Sequence, residues 1–122
     1  MEVIKFKKNE VIFKYGDFAS YMYEVRWGSV GIYDKYGEKD QRLLKVVESG
    51  GCFGELGLIE CRPRSATAVA MERDTQCVKI TNDDFNDYFA EKPAKVLGIM
   101  QLMSQRIREL SAEVAELSAK KK

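Results

Sequence analysis

The fold and the chemistry of this chain are decided by the stretch Phe53-Gly54-Glu55-Leu56-Gly57-Leu58, which is followed after a short gap by Pro63-Arg64-Ser65-Ala66-Thr67. The two glycines allow the backbone to approach a ligand closely, and the N–H groups at the start of a short helical turn attract an anion. Pro63 fixes its own φ, so Arg64 leaves a stiff corner just before the next apolar segment. A planar guanidinium held in this way suits a phosphate with two free oxygens.

Glu55 adds a second kind of contact to this predicted anion site. An ionised carboxylate only accepts hydrogen bonds, so beside an arginine and amide donors its expected partner is a hydroxyl such as a ribose 2′-OH. A sugar hydroxyl together with a phosphate indicates a nucleotide. The simpler interpretation is an ordinary loop in which Glu55 and Arg64 are solvated surface charges, and the combination of the two motifs favours the ligand.

Composition indicates one globular domain that spans residues 1–122. The chain is 45% hydrophobic and 32% charged, which is ordinary for a soluble protein. A formal net charge of +1 gives no broad basic surface of the kind that duplex DNA usually requires. The sequence shows neither an apolar run of membrane-spanning length nor a signal-peptide pattern, so a cytoplasmic location is expected.

The titratable residues argue against an enzyme. Histidine is absent, which excludes His-based metal sites, Ser-His or Cys-His nucleophile pairs and histidine general bases. A cupin-like metalloenzyme, the alternative among small β proteins, would therefore lack its ligands. Cys52, Cys61 and Cys77 are odd in number and lack metal-ligand spacing, so reduced thiols are expected. We predict no catalytic residue, no metal and no cofactor.

Short apolar segments with turn signals between them predict an antiparallel barrel or sandwich. The predicted strands cover residues 3–6, 11–14, 22–27, 30–33, 43–47, 66–71 and 75–80. In the segment 66–71, alanines alternate with larger residues and leave one thin face. That face either leaves room for a ligand beside Arg64 or packs against a close strand.

The pattern changes to helix at Thr81, where a run of capping and acidic residues begins, and Pro93 is placed to start a second helix. The second helix carries an apolar seam at alternating steps of three and four residues, as in a heptad repeat. Its members are Val96, Met100, Met103, Ile107, Leu110, Val114 and Leu117. The seam favours a parallel two-stranded homodimer through residues 100–117, and the alternative is burial of one helix face on the same chain.

The two motifs, in this order and at this spacing, resemble the phosphate-binding cassette of the cyclic-nucleotide-binding domain family, as found in bacterial catabolite activators. The resemblance implies that Glu55 accepts from the ribose 2′-OH and that Arg64 pairs with the cyclic phosphate of cAMP or cGMP. It also implies phosphate contacts from Ser65 and from the backbone at Gly54 and Leu56. Thr67, which ends the motif, belongs to the same predicted site.

The resemblance further implies a mainly β fold with C-terminal helices: a jelly-roll-like β-roll over residues 1–80, a cassette over 50–69 with a short helix, and helices over 81–122. The long helix would dimerise and bring Ser111 to the purine, whereas Leu110 stands where a second hydroxyl contact is expected. The chain resembles the family's transcription factors without their helix-turn-helix segment, so no DNA binding is expected. The predicted function is a stand-alone dimeric sensor that acts on an unknown partner protein. The alternatives are a structural dimerisation module that has lost its ligand and a sensor fragment of a larger regulator.

Overall fold

The computed structural model describes residues 1–18, 20–55 and 63–120 and contains eight strands and two helices in those ranges. The strands are β1 (Glu2–Phe6), β2 (Val11–Phe13), β3 (Tyr21–Trp27), β4 (Ser29–Asp34), β5 (Arg42–Glu48), β6 (Cys52–Phe53), β7 (Thr67–Ala70) and β8 (Thr75–Thr81). The helices are α1 (Asn82–Glu91) and α2 (Pro93–Lys120). All seven predicted strands are confirmed, and β6 is an additional strand. The predicted cassette helix falls on residues 56–62, outside the described residues.

The strands form two antiparallel sheets of four strands each. One sheet has the order β1-β8-β3-β6 and the other the order β2-β7-β4-β5. Over the described residues these two sheets do not close into a barrel. The expected mainly β fold with C-terminal helices is confirmed. This topology is that of an antiparallel β-roll, in which one face of each sheet covers a shared core.

The core is dominated by aromatic rings contributed by both sheets. Tyr23 stacks on Phe53 at 5.1 Å between centroids, and Phe13 packs against Phe53 at 5.9 Å. Phe6 meets the edge of Tyr23 at 6.4 Å. Such ring pairs bury large areas and add a directional contact of about 0.5–1.5 kcal/mol each.

The thin alanine face is part of this core. Ala68 and Ala70 are completely buried and belong to the same cluster as Phe13, Tyr23 and Phe53. Strand β7 lies between β2 and β4, so its inward side chains must fit beneath the rings. Of the two interpretations left open by the sequence, close packing therefore accounts for these alanines.

The chain divides into two compact units, residues Met1–Phe85 and Asn86–Lys122. The first contains all eight strands. In the second, Tyr88 and Phe89 near the end of α1 are buried and meet edge to face at 5.0 Å. No side chain of α2 is buried, and most members of its apolar seam are more than half exposed. Helix α1 begins at Asn82, one residue after the predicted start, because Thr81 ends β8, and the predicted break before Pro93 is confirmed.

Candidate functional site

The backbone of Arg64 is fixed by a turn that precedes β3. The N–H of Gly16 donates to the carbonyl of Arg64 at 2.8 Å, and the N–H of Arg64 donates to the carbonyl of Asp17 at 2.8 Å. Gly16 has a φ of 87°, which only glycine adopts without strain. The Tyr15 N–H donates to Oγ1 of the buried Thr67 at 3.0 Å. The turn at Gly16 and Asp17 thus has a geometric role: it ties the arginine segment to the sheet.

The side chain of Arg64 lies almost entirely inside the protein, with 3% of its surface exposed. Nη1 donates to the carbonyl of Gly54 at 2.9 Å, and Nη2 donates to the carbonyl of Tyr21 at 2.8 Å. Nε is buried and has no hydrogen-bond partner among the described residues. An unpaired buried donor costs about 1–3 kcal/mol, and more on a charged group, so such a donor points to a missing acceptor.

Two aromatic rings cover the guanidinium. Its Cζ lies 4.2 Å from the centroid of Phe13 and 5.0 Å from that of Tyr21. The Tyr21 ring also has the Lys79 Nζ at 4.1 Å. Burial lowers the pKa of Arg64 from its usual value, and the neighbouring Tyr21, Tyr23 and Asp17 act in the opposite direction. The site is therefore a positive charge in a largely apolar setting.

Among the described residues, Arg64 forms no ion pair. Within the described ranges, no carboxylate oxygen lies within 4.0 Å of its guanidinium nitrogens, and both nitrogens that are bonded donate to neutral carbonyls. Buried charges in proteins are normally paired, because the desolvation of an isolated ion is expensive. The arrangement is consequently suited to an anion that approaches Nε.

Gly54 is needed for the close contact with Arg64. Its φ is 76°, and a Cβ at this position would lie 2.8 Å from the Arg64 Nη1 and 3.3 Å from Cε2 of Phe13. Any larger residue would displace the guanidinium. The cassette glycine predicted from sequence thus lies in direct contact with the predicted phosphate-binding arginine.

The remaining predicted site residues are placed as follows. Glu55 follows Gly54 and is half-buried, and Ser65 is exposed next to Arg64. Leu56 lies outside the described residues. Ser111 is exposed on α2 in the second unit. The structure thus brings together the Gly54 and Arg64 segments, and the ligand contacts of the individual residues stay predictions.

Sequence reasoning missed Phe13 and Tyr21. These residues precede Arg64 by 51 and 43 positions and lie in strands where an aromatic residue is ordinarily a core residue. No local pattern connects them to the cassette. Only the pairing of β2 with β7, and of β3 with β6, brings their rings to the arginine.

A metal centre finds no support in the described part of the chain, where no group of three or more His, Cys, Asp or Glu residues is arranged to hold an ion. Cys77 is a buried thiol, and burial raises its pKa to about 12. Cys61 lies outside the described residues. Among the described helices, none combines the length and hydropathy needed to cross a bilayer.

Known proteins resemble the chain in both sequence and structure. It is 29% identical over 113 residues to the cyclic AMP receptor protein of Thermus thermophilus, with 93% of this chain and 52% of the receptor covered. It is 32% identical over 87 residues to human cGMP-dependent protein kinase 2, with 70% of this chain and 11% of the kinase covered. The chain thus spans about half of the receptor and a small part of the kinase.

Solved structures agree with this likeness. The crystal structure of the Thermus thermophilus catabolite activator protein superimposes with a TM-score of 0.79 at 28% identity, covering 96% of this chain and 55% of that one. A cyclic nucleotide-binding domain from Methylobacillus flagellatus gives a TM-score of 0.69 at 26% identity, covering 88% of this chain and 62% of that one. The family model for the cyclic nucleotide-binding domain matches residues 3–92, which include both sheets and the Gly54 and Arg64 segments. The chain belongs to the cyclic nucleotide-binding domain family.

Proposed function

We propose that this chain binds a cyclic nucleotide, cAMP or cGMP, through the anion site at Arg64 and acts as a cytoplasmic regulatory domain. The observation that carries the proposal is the buried guanidinium, which among the described residues has neither a partner for Nε nor a carboxylate within 4.0 Å. A cyclic phosphate is a monoanion with two free oxygens, so it can accept from Nε and neutralise the charge. A charge-assisted hydrogen bond in a site shielded from water is stronger than one at the surface.

The other cassette residues would supply the contacts that distinguish a nucleotide from a simple anion. We assign Glu55 to the ribose 2′-OH, Ser65 to a second phosphate oxygen, and the backbone from Gly54 to Leu56 to the remaining phosphate acceptors. Thr67 already bonds the Tyr15 N–H, so its contribution to binding is to hold the segment in place. Glu55 then makes the site selective against 2′-deoxy analogues, because an unmatched polar group loses its partner.

The long helix is assigned to dimerisation. Seam residues Met100, Ile107, Leu110 and Val114 are each 60–64% exposed, although they are the most apolar surface of α2. A single helix with an exposed heptad seam is stabilised when a second copy covers that seam. In the dimer, Ser111 is assigned to the purine, and a change in α2 would carry the signal to a partner protein.

The proposed ligand is either cAMP or cGMP. The names of the relatives include a cyclic AMP receptor and a cGMP-dependent kinase. The transcriptional and kinase activities of those proteins belong to chains much longer than this one. The proposed regulatory role therefore extends to nucleotide binding, dimerisation and signalling to an unknown partner, whether the domain acts alone or as part of a larger regulator.

A structural dimerisation module without ligand is the second candidate. It is favoured by the fact that Nη1 and Nη2 of Arg64 already have protein acceptors and that the side chain is nearly enclosed. In that case the arginine would be a cross-link between Gly54 and Tyr21. The unpartnered Nε favours the ligand over this alternative.

Titration calorimetry with cAMP, cGMP and 2′-deoxy-cAMP tests the proposal. We expect one ligand per chain, weaker binding of the deoxy analogue, and a loss of about 10- to 100-fold in the Arg64→Lys variant, which keeps the charge but not the fixed planar donors. Arg73→Lys, at an exposed position, is the matched control and should bind as the parent does. If millimolar nucleotide gives neither heat nor a shift of the unfolding midpoint, the structural module is the better description.

A further inference from the structure

The guanidinium of Arg64 is held in one orientation from several sides. Hydrogen bonds to the carbonyls of Gly54 and Tyr21 fix the direction of its plane. The rings of Phe13 and Tyr21 lie 4.2 and 5.0 Å from Cζ. In the part of the chain that the structure describes, Nε is left without a partner.

The two rings are themselves fixed by the core. Phe13 is stacked on Tyr23 at 6.4 Å and packed against Phe53 at 5.9 Å. Tyr21 meets Tyr23 edge to face at 5.6 Å. The arginine therefore rests on the same aromatic cluster that stabilises the two sheets, and the cluster leaves little freedom for the rings to turn.

We propose that Phe13 and Tyr21 are positioning residues for anion binding: their rings hold the Arg64 guanidinium so that Nε is presented to the ligand. The inference rests on the proposed function and adds two residues that lie outside the sequence motif. A cation over an aromatic face is attracted by the ring, more strongly where water is excluded. A guanidinium that is already oriented loses less conformational freedom when the anion binds.

Tyr21 acts in two ways, which the experiment can separate. Its backbone carbonyl accepts from Nη2 whatever the side chain is, so substitution at this position spares that bond and removes the side-chain contacts, among them the ring over Arg64. The same ring carries the Lys79 ammonium at 4.1 Å, so its loss would also release Lys79. Among the described residues no second cation lies over Phe13, so Phe13 gives the cleaner comparison.

The test compares ring removal with ring conservation in the full chain. Phe13→Leu and Tyr21→Leu should each weaken binding of the preferred cyclic nucleotide by about 3- to 30-fold, the range expected for a shielded cation–ring contact. Tyr21→Phe keeps the ring and should stay within about twofold of the parent. Phe6→Leu is the matched core control: Phe6 is 7% exposed and packs on Tyr23, so this variant should lose stability but bind within about twofold of the parent.

A nuclear magnetic resonance measurement on the ligand-free protein supplies a second readout. Protons over an aromatic face resonate upfield, so the Arg64 Nε–H and Cδ–H signals should be shifted upfield relative to those of exposed Arg73. The shift should decrease in Phe13→Leu and persist in Phe6→Leu. Unchanged Arg64 signals and unchanged affinity in Phe13→Leu would overturn the proposal, as would an equal loss of affinity in Phe6→Leu.

Failure of the proposed function gives a different result. If the parent chain itself binds neither cAMP nor cGMP, the nucleotide function and the positioning role fail together. If the parent binds and Phe13→Leu binds equally well, only the positioning role fails. The parent titration therefore separates the two.

Discussion

The unit of residues 1–85 buries many of its apolar side chains, whereas helix α2 buries none. In the first, Met22, Val25, Val30 and Ile80 are fully buried, and rings from both sheets interlock. In α2, by contrast, no side chain is buried. The first unit thus carries its own hydrophobic stabilisation, whereas the apolar seam of the helix is exposed, and the proposed dimer would cover it.

The contrast also separates the proposed phosphate site from the proposed dimer seam. Arg64 and the residues that orient it lie within residues 1–85, together with Gly54 and the aromatic cluster. The seam and Ser111 lie in the second unit. Substitutions can therefore be chosen that change the core, the assembly or the site separately.

The largest effect is expected from the core of the first unit. Phe53 is 1% exposed and contacts the rings of Tyr23 and Phe13, so Phe53→Ala should lower the free energy of unfolding by about 3–5 kcal/mol in urea denaturation. Leu102→Ala in α2, at a position 58% exposed and outside the heptad seam, should change it by less than about 0.5 kcal/mol. Equal losses in the two variants would contradict the contrast between core and helix.

The second-largest effect is expected for dimerisation through the heptad seam of α2. Ile107→Asp places a charge where the two helices of the proposed dimer would meet, and it should weaken dimerisation by about 100-fold or more, on the order of 3 kcal/mol. Leu102→Asp makes the same change on the same helix outside the seam and should leave the dimer intact. Sedimentation equilibrium measures both. A parent chain that is monomeric at high concentration would show that the seam is covered in another way.

A smaller effect is expected where Gly54 touches Arg64. Gly54→Ala places a side chain at a φ of 76° and a Cβ 2.8 Å from the guanidinium, so the variant should lose about 1–2 kcal/mol of stability together with nucleotide affinity. Gly37→Ala has a similar φ of 86° with nothing within 4 Å of the added Cβ. The backbone strain is thus matched, and the difference in affinity between the two variants, measured by calorimetry, reports the arginine contact. Equal affinities would show that Arg64 tolerates displacement.

The sequence predicted the strands of the first unit well because each combines β-branched or aromatic residues with clear turn signals. It missed β6, which has only two residues and pairs with β3 through Tyr23 and Glu24. A strand of this length has no periodicity to detect. It left the alanine face of β7 undecided, because a small side chain fits equally well beneath a ring and beside a ligand until the opposite sheet is placed.

For the site, the motif predicted which arginine and which glycine belong together, and the 2.9 Å contact between Arg64 and the Gly54 carbonyl agrees with that pairing. It could not indicate that the arginine is buried, or that Phe13 and Tyr21 cover it. Those features depend on contacts between residues more than 40 positions apart. Spacing in the sequence predicts the loop and its charged residues. The burial of those charges depends on the strands that pack around them.

The smallest effect is expected at the junction between β8 and α1. Asp84 Oδ2 accepts from the Thr81 N–H at 3.2 Å and from the Thr81 hydroxyl at 2.9 Å. Both bonds lower the pKa of the Asp84 carboxyl below its usual 3.8, and the bond from the Thr81 N–H has the larger effect. A lowered pKa means that the ionised carboxylate stabilises the folded state above about pH 4, and that this stabilisation is lost as the pH falls through the lower folded-state value.

Asp84→Asn should therefore lower the unfolding midpoint at pH 6 by less than Gly54→Ala does, and the difference from the parent should shrink as the pH falls below about 4. Asp83→Asn is the matched control, because Asp83 lies in the same first turn without the bonds to Thr81. Thermal unfolding followed by circular dichroism across this pH range measures both variants. A constant difference between parent and Asp84→Asn at every pH would show that the loss comes from packing and not from the charge. A difference that vanishes in acid would identify the Asp84 carboxylate as the cap that starts α1 where β8 ends.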